Sequence, residues 1–151
     1  MHYLLEEVDT EGKAEELRKI RNECRLYMTN NTGLITPDQQ KEWFNSLDRT
    51  TFIPYLYLEI ACGVCIDPVG YGILRSEEGV TLLTGGLLET ERNKGLGAKL
   101  FLDLIDTARE KFDQPVALEV LNANQRAYKL YTKLGFKPMY TTKRITYMEL
   151  D

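Results

Sequence analysis

Glu91-Arg92-Asn93-Lys94-Gly95-Leu96-Gly97-Ala98 is the stretch on which the reading of the fold turns. Before it, Val80–Leu88 has the composition of a strand. After it, Leu96, Leu100, Phe101, Leu104, Ile105, Ala108 and Phe112 form one apolar stripe over four turns of helix. A strand end, a tight loop and a helix start therefore meet within eight residues. A helix start exposes unpaired N–H groups at the positive end of its dipole, so it binds anions. Gly95 and Gly97 remove the side chains that would hold a phosphate away from those N–H groups, and Arg92 and Lys94 add positive charge. The stretch lacks the GxxxxGK[ST] of a Walker A loop and the GxGxxG of a dinucleotide fold.

Upstream, Phe52–Ala61, Val69–Arg75 and Val80–Leu88 read as three strands, joined through 62–68 and 76–79. Connections this short imply an antiparallel meander. Gly85-Gly86 inside the third run marks a bulge or a place where something approaches the backbone closely. Further upstream, residues 3–8 suit a first strand. A helix is expected from Glu11 to Met28, with Leu17, Ile20, Cys24 and Met28 on one face. Thr36, Pro37 and Gln39 spell the start of a second helix, whose apolar face carries Trp43, Phe44 and Leu47. That face serves either core packing or a ligand pocket. Downstream, Pro115 opens a strand at Val116–Leu121. A last helix runs from about Asn124 to Leu134 and is stopped by Gly135, and strands close the chain at 137–142 and 145–150. The order β-α-α-β-β-β-α-β-α-β-β describes a mixed α/β fold around one sheet, in a single domain spanning 1–151.

The bulk properties limit the partners. A net charge of −4 argues against nucleic acid or an anionic membrane as a main partner, and leaves room for a local basic pocket. Met1–Asp9 holds Glu6, Glu7 and Asp9 and does not read as a signal peptide. No apolar run approaches the roughly 20 residues that span a bilayer. Cys24, Cys62 and Cys65 form no disulfide framework, so a reducing cytoplasm is the expected compartment. Cys62-Gly63-Val64-Cys65 has neither a second CxxC nor more than one histidine, His2, to complete a zinc site. It reads as a turn of small residues, and no metal is expected.

Two motifs carry a family likeness. Arg92-x-x-Gly95-x-Gly97 resembles the coenzyme-binding [RQ]xxGx[GA] of the GCN5-related N-acetyltransferases. Asn124-x-x-Ala127-x-x-Leu130-Tyr131-x-x-Leu134-Gly135-Phe136 resembles the same family's second signature, with a helix and a strand between the two motifs as in that family. The resemblance implies a mostly antiparallel central sheet with helices on both faces, and acetyl-CoA as co-substrate. It implies that the fourth and fifth strands splay at a bulge, for which Gly85-Gly86 is placed, and that the pantetheine arm pairs there with the main chain at Leu87 and Leu88. Arg92, Asn93, Lys94, Gly95, Leu96, Gly97 and Ala98 would take the pyrophosphate, and Asn124 would contact the coenzyme from the last helix. Tyr131 would stand near the sulfur, where a phenol can protonate or hydrogen-bond a departing thiolate. The base is open between Glu119, which alternates against Val116, Leu118 and Val120, and Glu89 beside the loop; His2 is too near the terminus to be favoured. Asn93 departs from the glycine common in the family after the arginine, but asparagine tolerates left-handed backbone.

The amino-terminal third resembles one branch of that family through Ile20-Arg21-Asn22, Ile35-Thr36-Pro37-Asp38-Gln39-Gln40 and Trp43-Phe44. Members of that branch often acetylate amino groups on nucleotide-linked sugars, and related sequences modify protein N-termini. Arg21 and Arg25, four apart on one helix face, would meet phosphate or hydroxyl groups, as would Asn22, and Trp43 and Phe44 would form a flat wall. The expected acceptor is a small polar amine, with a nucleotide-linked amino sugar as first choice. The alternatives are a non-catalytic acyl-CoA-binding module and an acetyltransferase of protein or peptide amines. Relatives often dimerise through the last strands, so a homodimer is a further expectation.

Overall fold

The computed structural model describes residues 2–27 and 33–150. Seven strands, β1 (His2–Glu7), β2 (Phe52–Ala61), β3 (Val64–Glu77), β4 (Val80–Leu87), β5 (Val116–Leu121), β6 (Phe136–Thr141) and β7 (Ile145–Leu150), form one sheet in the order β1-β2-β3-β4-β5-β7-β6. Every neighbouring pair is antiparallel except β4 and β5, which run parallel. Helices α1 (Glu11–Cys24) and α2 (Pro37–Ser46) lie on one side; α3 (Leu96–Lys111) and α4 (Gln125–Lys133) lie on the other. The element order is the one read from sequence.

The helices start where their caps dictate. Thr10 Oγ1 accepts from the N–H of Lys13 at 3.2 Å, which opens α1. At α2 the Thr36 side chain accepts from the N–H of Gln39, whose side chain in turn accepts from the N–H of Thr36, a complete capping box behind Pro37. Asn124 Oδ1 accepts from the N–H of Ala127 to open α4, and Gly135 at φ 105 lets the chain leave it. The regular part of α1 ends at Cys24 in a 3-10 turn over Arg25–Tyr27. Met28, the expected end, lies outside the described residues.

The meander is tighter than expected. Residues 62 and 63, at φ 54 and 76, make a two-residue hairpin, so β3 begins at Val64 rather than Val69. Register shifts between Tyr57/Leu58 and Glu59/Ile60 absorb the added length. The CxxC therefore straddles a turn and a strand, and no group of metal-ligating side chains occurs among the described residues.

Two cores sandwich the sheet. Leu100, Phe101, Leu104, Ile105 and Ala108 of α3 pack on Leu74, Leu83, Val116, Leu118 and Val120. Leu17, Ile20 and Cys24 of α1 pack on Leu56, Leu58, Tyr71 and Ile73. Each fully buried leucine or isoleucine contributes about 1.5–3 kcal/mol to holding its layer. A Cβ on Gly72 would lie 2.5 Å from Leu104 Cδ2; one on Gly86 would lie 2.9 Å from Tyr71 Cε1 and 3.1 Å from Cys24 Sγ. The β3–β4 register runs through Gly85 and Gly86 without interruption, so no bulge stands there. The glycines let helices from both faces press on the sheet, and the expected splay arises from the neighbouring strand instead.

Candidate active site

The parallel ladder of β4 and β5 is three pairs long, Thr81↔Val116, Leu82↔Ala117 and Leu83↔Leu118. Beyond it β4 stays with β3 as far as Leu87, while β5 stays with β7 as far as Leu121. The strands are pulled to different partners and fork. A cleft of about 500 Å³ opens in the fork, bounded by α3, α4 and the end of α1. From Thr84 to Leu87, β4 has no ladder partner on the β5 side, so the fork is a place where an extended ligand can pair with main chain.

One end of the cleft is the start of α3. Asn93 (φ 68) and Gly95 (φ 78) both take left-handed backbone, and Gly95 caps the helix without a side-chain acceptor. The first N–H groups of α3 are thus left for an external anion. Gly97 lines the cleft: a Cβ there would sit 3.3 Å from Leu130 Cδ2 and 4.0 Å from Leu87 Cδ1, between the two walls. Ala98 and Asn124 also line it, with the Asn124 carbonyl already used as the α4 cap. Arg92 is turned inward. Its Nε donates to the Leu87 carbonyl at 3.1 Å, and Nη2 stands 3.8 Å from Cys24 Sγ, so it ties the end of β4 to the end of α1 while facing the cleft.

Three residues expected at the coenzyme do not line the cleft. Leu88 packs against the α1-side core, and its N–H goes to Val69 O at 3.0 Å. Lys94 sits at the exposed rim, 3.3 Å from Glu91. Leu96 is buried in the α3-side core, where helical spacing sends the first residue of the apolar stripe.

The cleft lining also carries Tyr131 and Glu119. The Tyr131 ring is held edge-on by Phe101 at 4.8 Å and Phe136 at 6.1 Å. Burial, with a smaller push from Tyr71, raises its phenol well above the usual range, so it stays protonated. Glu119 is the first residue of β5 past the last β4 pair, with its Oε1 4.0 Å from Arg75 Nη2. Glu89 is exposed on a short 3-10 turn, its N–H donating to Glu23 at 2.8 Å, and does not line the cleft.

Tyr71, Cys24 and Arg75 were not singled out for the site, yet all three line the cleft. Burial pushes the Cys24 thiol up, against the opposing effect of Arg92. Tyr71 is buried and raised by burial in the same way. Their one sequence signal was glycine density: Gly70-Tyr71-Gly72 lies opposite Gly85 and Gly86, which marks the thin point of the sheet.

The amino-terminal candidates separate into two groups. Arg21 and Trp43 meet: the guanidinium lies 5.5 Å from the Trp43 ring centroid, and both line a second cavity of about 470 Å³. Arg25 lines neither cavity. Phe44 is stacked by Arg49 at 5.2 Å, away from both cavities, because the residue after Trp43 points about 100° round the helix. Asn22 serves structure: its amide both donates to and accepts from the Ile35 backbone, at 3.0 and 2.7 Å. That clamp accounts for the Ile20-Arg21-Asn22 and Ile35-Thr36 pattern.

A forked parallel pair whose cleft is lined by a glycine-bearing helix start and a buried phenol marks an acyltransferase of the acetyl-transferring class. The chain belongs to the acetyltransferase (GNAT) family, whose model matches residues 14–136. It is similar to the solved structure of AAC(6')-Ib in complex with parmomycin and acetyl-CoA, at 20% identity and a TM-score of 0.80 over 99% of this chain and 93% of that one. It is also similar to spermidine N-acetyltransferase from Vibrio cholerae in complex with CoA and spermine, at 14% identity and a TM-score of 0.82 over 98% and 94% of the two chains. A putative phosphinothricin N-acetyltransferase matches at 16% identity and a TM-score of 0.80, over 99% and 98%. At these identities the likeness is one of fold. No curated protein matches the chain. No helix among the described residues is long and apolar enough to cross a membrane.

Proposed function

We propose that residues 1–151 act as one N-acetyltransferase domain that moves the acetyl group of acetyl-CoA to the primary amine of a small polar acceptor by direct attack. The observation that carries the reading is the fork: one cleft joins the bare N–H groups of α3 to Tyr131 and Glu119. The pyrophosphate suits the Asn93–Ala98 turn, where glycine backbone gives an anion close approach. The pantetheine arm suits the unpaired edge of β4. Neighbouring folds solved with acetyl-CoA or CoA support the same assignment.

In the reaction the neutral amine attacks the thioester carbonyl carbon, so a C–N bond forms and the C–S bond breaks. The ammonium proton leaves before attack, and Glu119 is its proposed acceptor, through water; the proton that the nitrogen sheds as the amide forms passes to the departing thiolate, which leaves as the free thiol. Tyr131 is the proposed donor to the departing sulfur. A phenol held above about 10 does not surrender its proton outright to a thiolate of pKa about 8.5. It serves better as a hydrogen-bond donor to the developing charge, an oxyanion-hole type of role.

The non-catalytic acyl-CoA-binding module and the peptide acetyltransferase are separated from this reading by thiol release. With acetyl-CoA and a panel of free amines, amino sugars, polyamines and short peptides, turnover of small amines is expected. Binding without turnover of any amine would leave the binding module, and turnover of peptides alone would leave the peptide enzyme. The nucleotide-linked amino sugar keeps the support of Arg21 and Trp43, but no longer that of Arg25 and Phe44. A homodimer through β6 and β7 is supported by the exposed Met139 and Tyr140, and light scattering tests it. A reducing cytoplasm suits the free thiols of Cys24 and Cys62.

A further inference from the structure

Among the described residues, the second cavity holds a charge with no carboxylate in its lining. Arg21 is half-buried against α2, with its Nε the innermost part of the side chain. Its Nε is sealed from solvent and has no hydrogen-bond partner among the described residues. Its neighbours are the face of Trp43, at 5.5 Å, and the phenol of Tyr71. The cavity walls it shares with Leu34, Ile35, Gln39 and Gln40 bear no carboxylate. Gln39 is spent on the capping box, and Gln40 Nε2 donates to Ala14 O at 2.8 Å. Elsewhere on the same helix the cations are paired: Lys13 with Glu6 and Asp9, Arg18 with Glu15, Lys19 with Glu16.

A buried guanidinium is costly unless anionic oxygens meet it. Stacking on an aromatic face returns about 0.5–2 kcal/mol, less than a charged hydrogen-bond set supplies. Burial accordingly pulls the Arg21 pKa down, with only Tyr71 opposing. The planar fork of an arginine is built to receive phosphate or carboxylate in a bidentate pair, and an aromatic plane beneath fixes its orientation.

The location ties this cavity to the reaction. Arg21 lies three residues before Cys24 on α1, and Cys24 lines the coenzyme cleft. The two residues lie within one turn of each other on the helix. Tyr71 touches both environments: it lines the cleft and interacts electrostatically with Arg21. The two cavities are thus neighbours across α1 and Tyr71.

We propose that Arg21, laid on Trp43, anchors an anionic group of the acceptor, so that the acceptor is an amine carrying phosphate or carboxylate and not a polycation. The inference rests on the acetyltransferase reading, and its test separates the two. Trp43 is the sole tryptophan of the chain, so its fluorescence reports on the anchor directly. With acetyl-CoA kept saturating, titration with inorganic phosphate, a nucleoside monophosphate and acetate should change the emission saturably for at least one anion. Arg21→Gln should raise the half-saturation at least about tenfold and leave the Kd for acetyl-CoA unchanged. In thiol release, a phosphorylated amino sugar or an amino acid should exceed the neutral amino sugar in kcat/KM by about tenfold or more. Arg21→Gln should erase that lead through KM, and Arg21→Lys should retain part of it. The phosphorylated and carboxylated arms tell which anion is read. Three results overturn the proposal: emission that responds to no anion, turnover led by neutral amines or spermidine, or an Arg21→Gln loss equal for charged and neutral amines. If Arg21→Gln does not fold, the wild-type titration and the acceptor ranking decide. Failure of coenzyme binding or of all thiol release would strike the acetyltransferase reading instead.

Discussion

The coenzyme half of the cleft and the acceptor half are built by different means. The coenzyme half, β4 through α4, works with backbone: left-handed Asn93 and Gly95, the bare first turn of α3, and the unpaired edge of β4. The acceptor half, α1 and α2 over the sheet, works with side chains drawn from elements far apart in sequence, such as Arg21 on Trp43. Backbone sites are local and repeat their spacing. Side-chain sites depend on where two helices come to rest. Damage to one half should therefore leave the other measurable, and each experiment below is chosen to break that independence.

The largest effect is expected at Gly97→Val. An isopropyl group there projects between Leu130 and Leu87 and holds an anion off the α3 N–H groups. Loss of two hydrogen bonds to a charged group, about 1.5–3 kcal/mol each, should raise the Kd for acetyl-CoA by roughly 10³-fold. Calorimetry on the folded variant measures this. Unchanged affinity would remove the pyrophosphate from this turn.

Tyr131→Phe comes next. Removing one donor to developing charge should lower kcat by roughly 10²–10³-fold with the coenzyme Kd unaltered. The pH profile sharpens the assignment. Because burial raises the phenol, its protonated form persists above the ordinary value near 10, so kcat should show no decline from Tyr131 between pH 7 and about 10. A descending limb near pH 8–9 that disappears in Tyr131→Phe would show a lowered phenol and make it a true proton donor.

The smallest effect is expected at Thr36→Ala. It opens the capping box of α2 and should cost about 1 kcal/mol, or roughly 2–4 °C in Tm. Since α2 carries Trp43, the acceptor KM should rise several-fold while the acetyl-CoA Kd holds. An equal change in both would show that the halves are coupled through the sheet.

Much of this molecule was legible before folding. Arg92-x-x-Gly95-x-Gly97 after a strand pattern and before the Leu96–Phe112 stripe placed a loop and a helix start correctly, because caps and glycine conformations are decided within a few residues. The same locality made Thr36-Pro37 and Asn124 readable as helix starts. The turn at Cys62-Gly63 was legible, but the start of β3 at Val64 was not, because a cysteine in left-handed backbone carries no signal for so tight a hairpin. Charge alone did not say which way each side chain turns. Arg92 faces the cleft with its Nε on the Leu87 carbonyl, whereas Lys94 is paired with Glu91 at the rim.

By itself the sequence determined the order of elements, the apolar stripes and the anion-ready turn, all set by interactions that span four residues or fewer. Only the tertiary structure decided that β4 and β5 part after Leu83 and Leu118, because that depends on the competing pulls of β3 and β7. It alone decided that Tyr71, Cys24 and Arg75 line the cleft, and that Arg21 meets Trp43 while Arg25 and Phe44 face elsewhere. Those contacts join residues tens of positions apart, and a side chain's company over such distances is settled by packing, which no local pattern encodes.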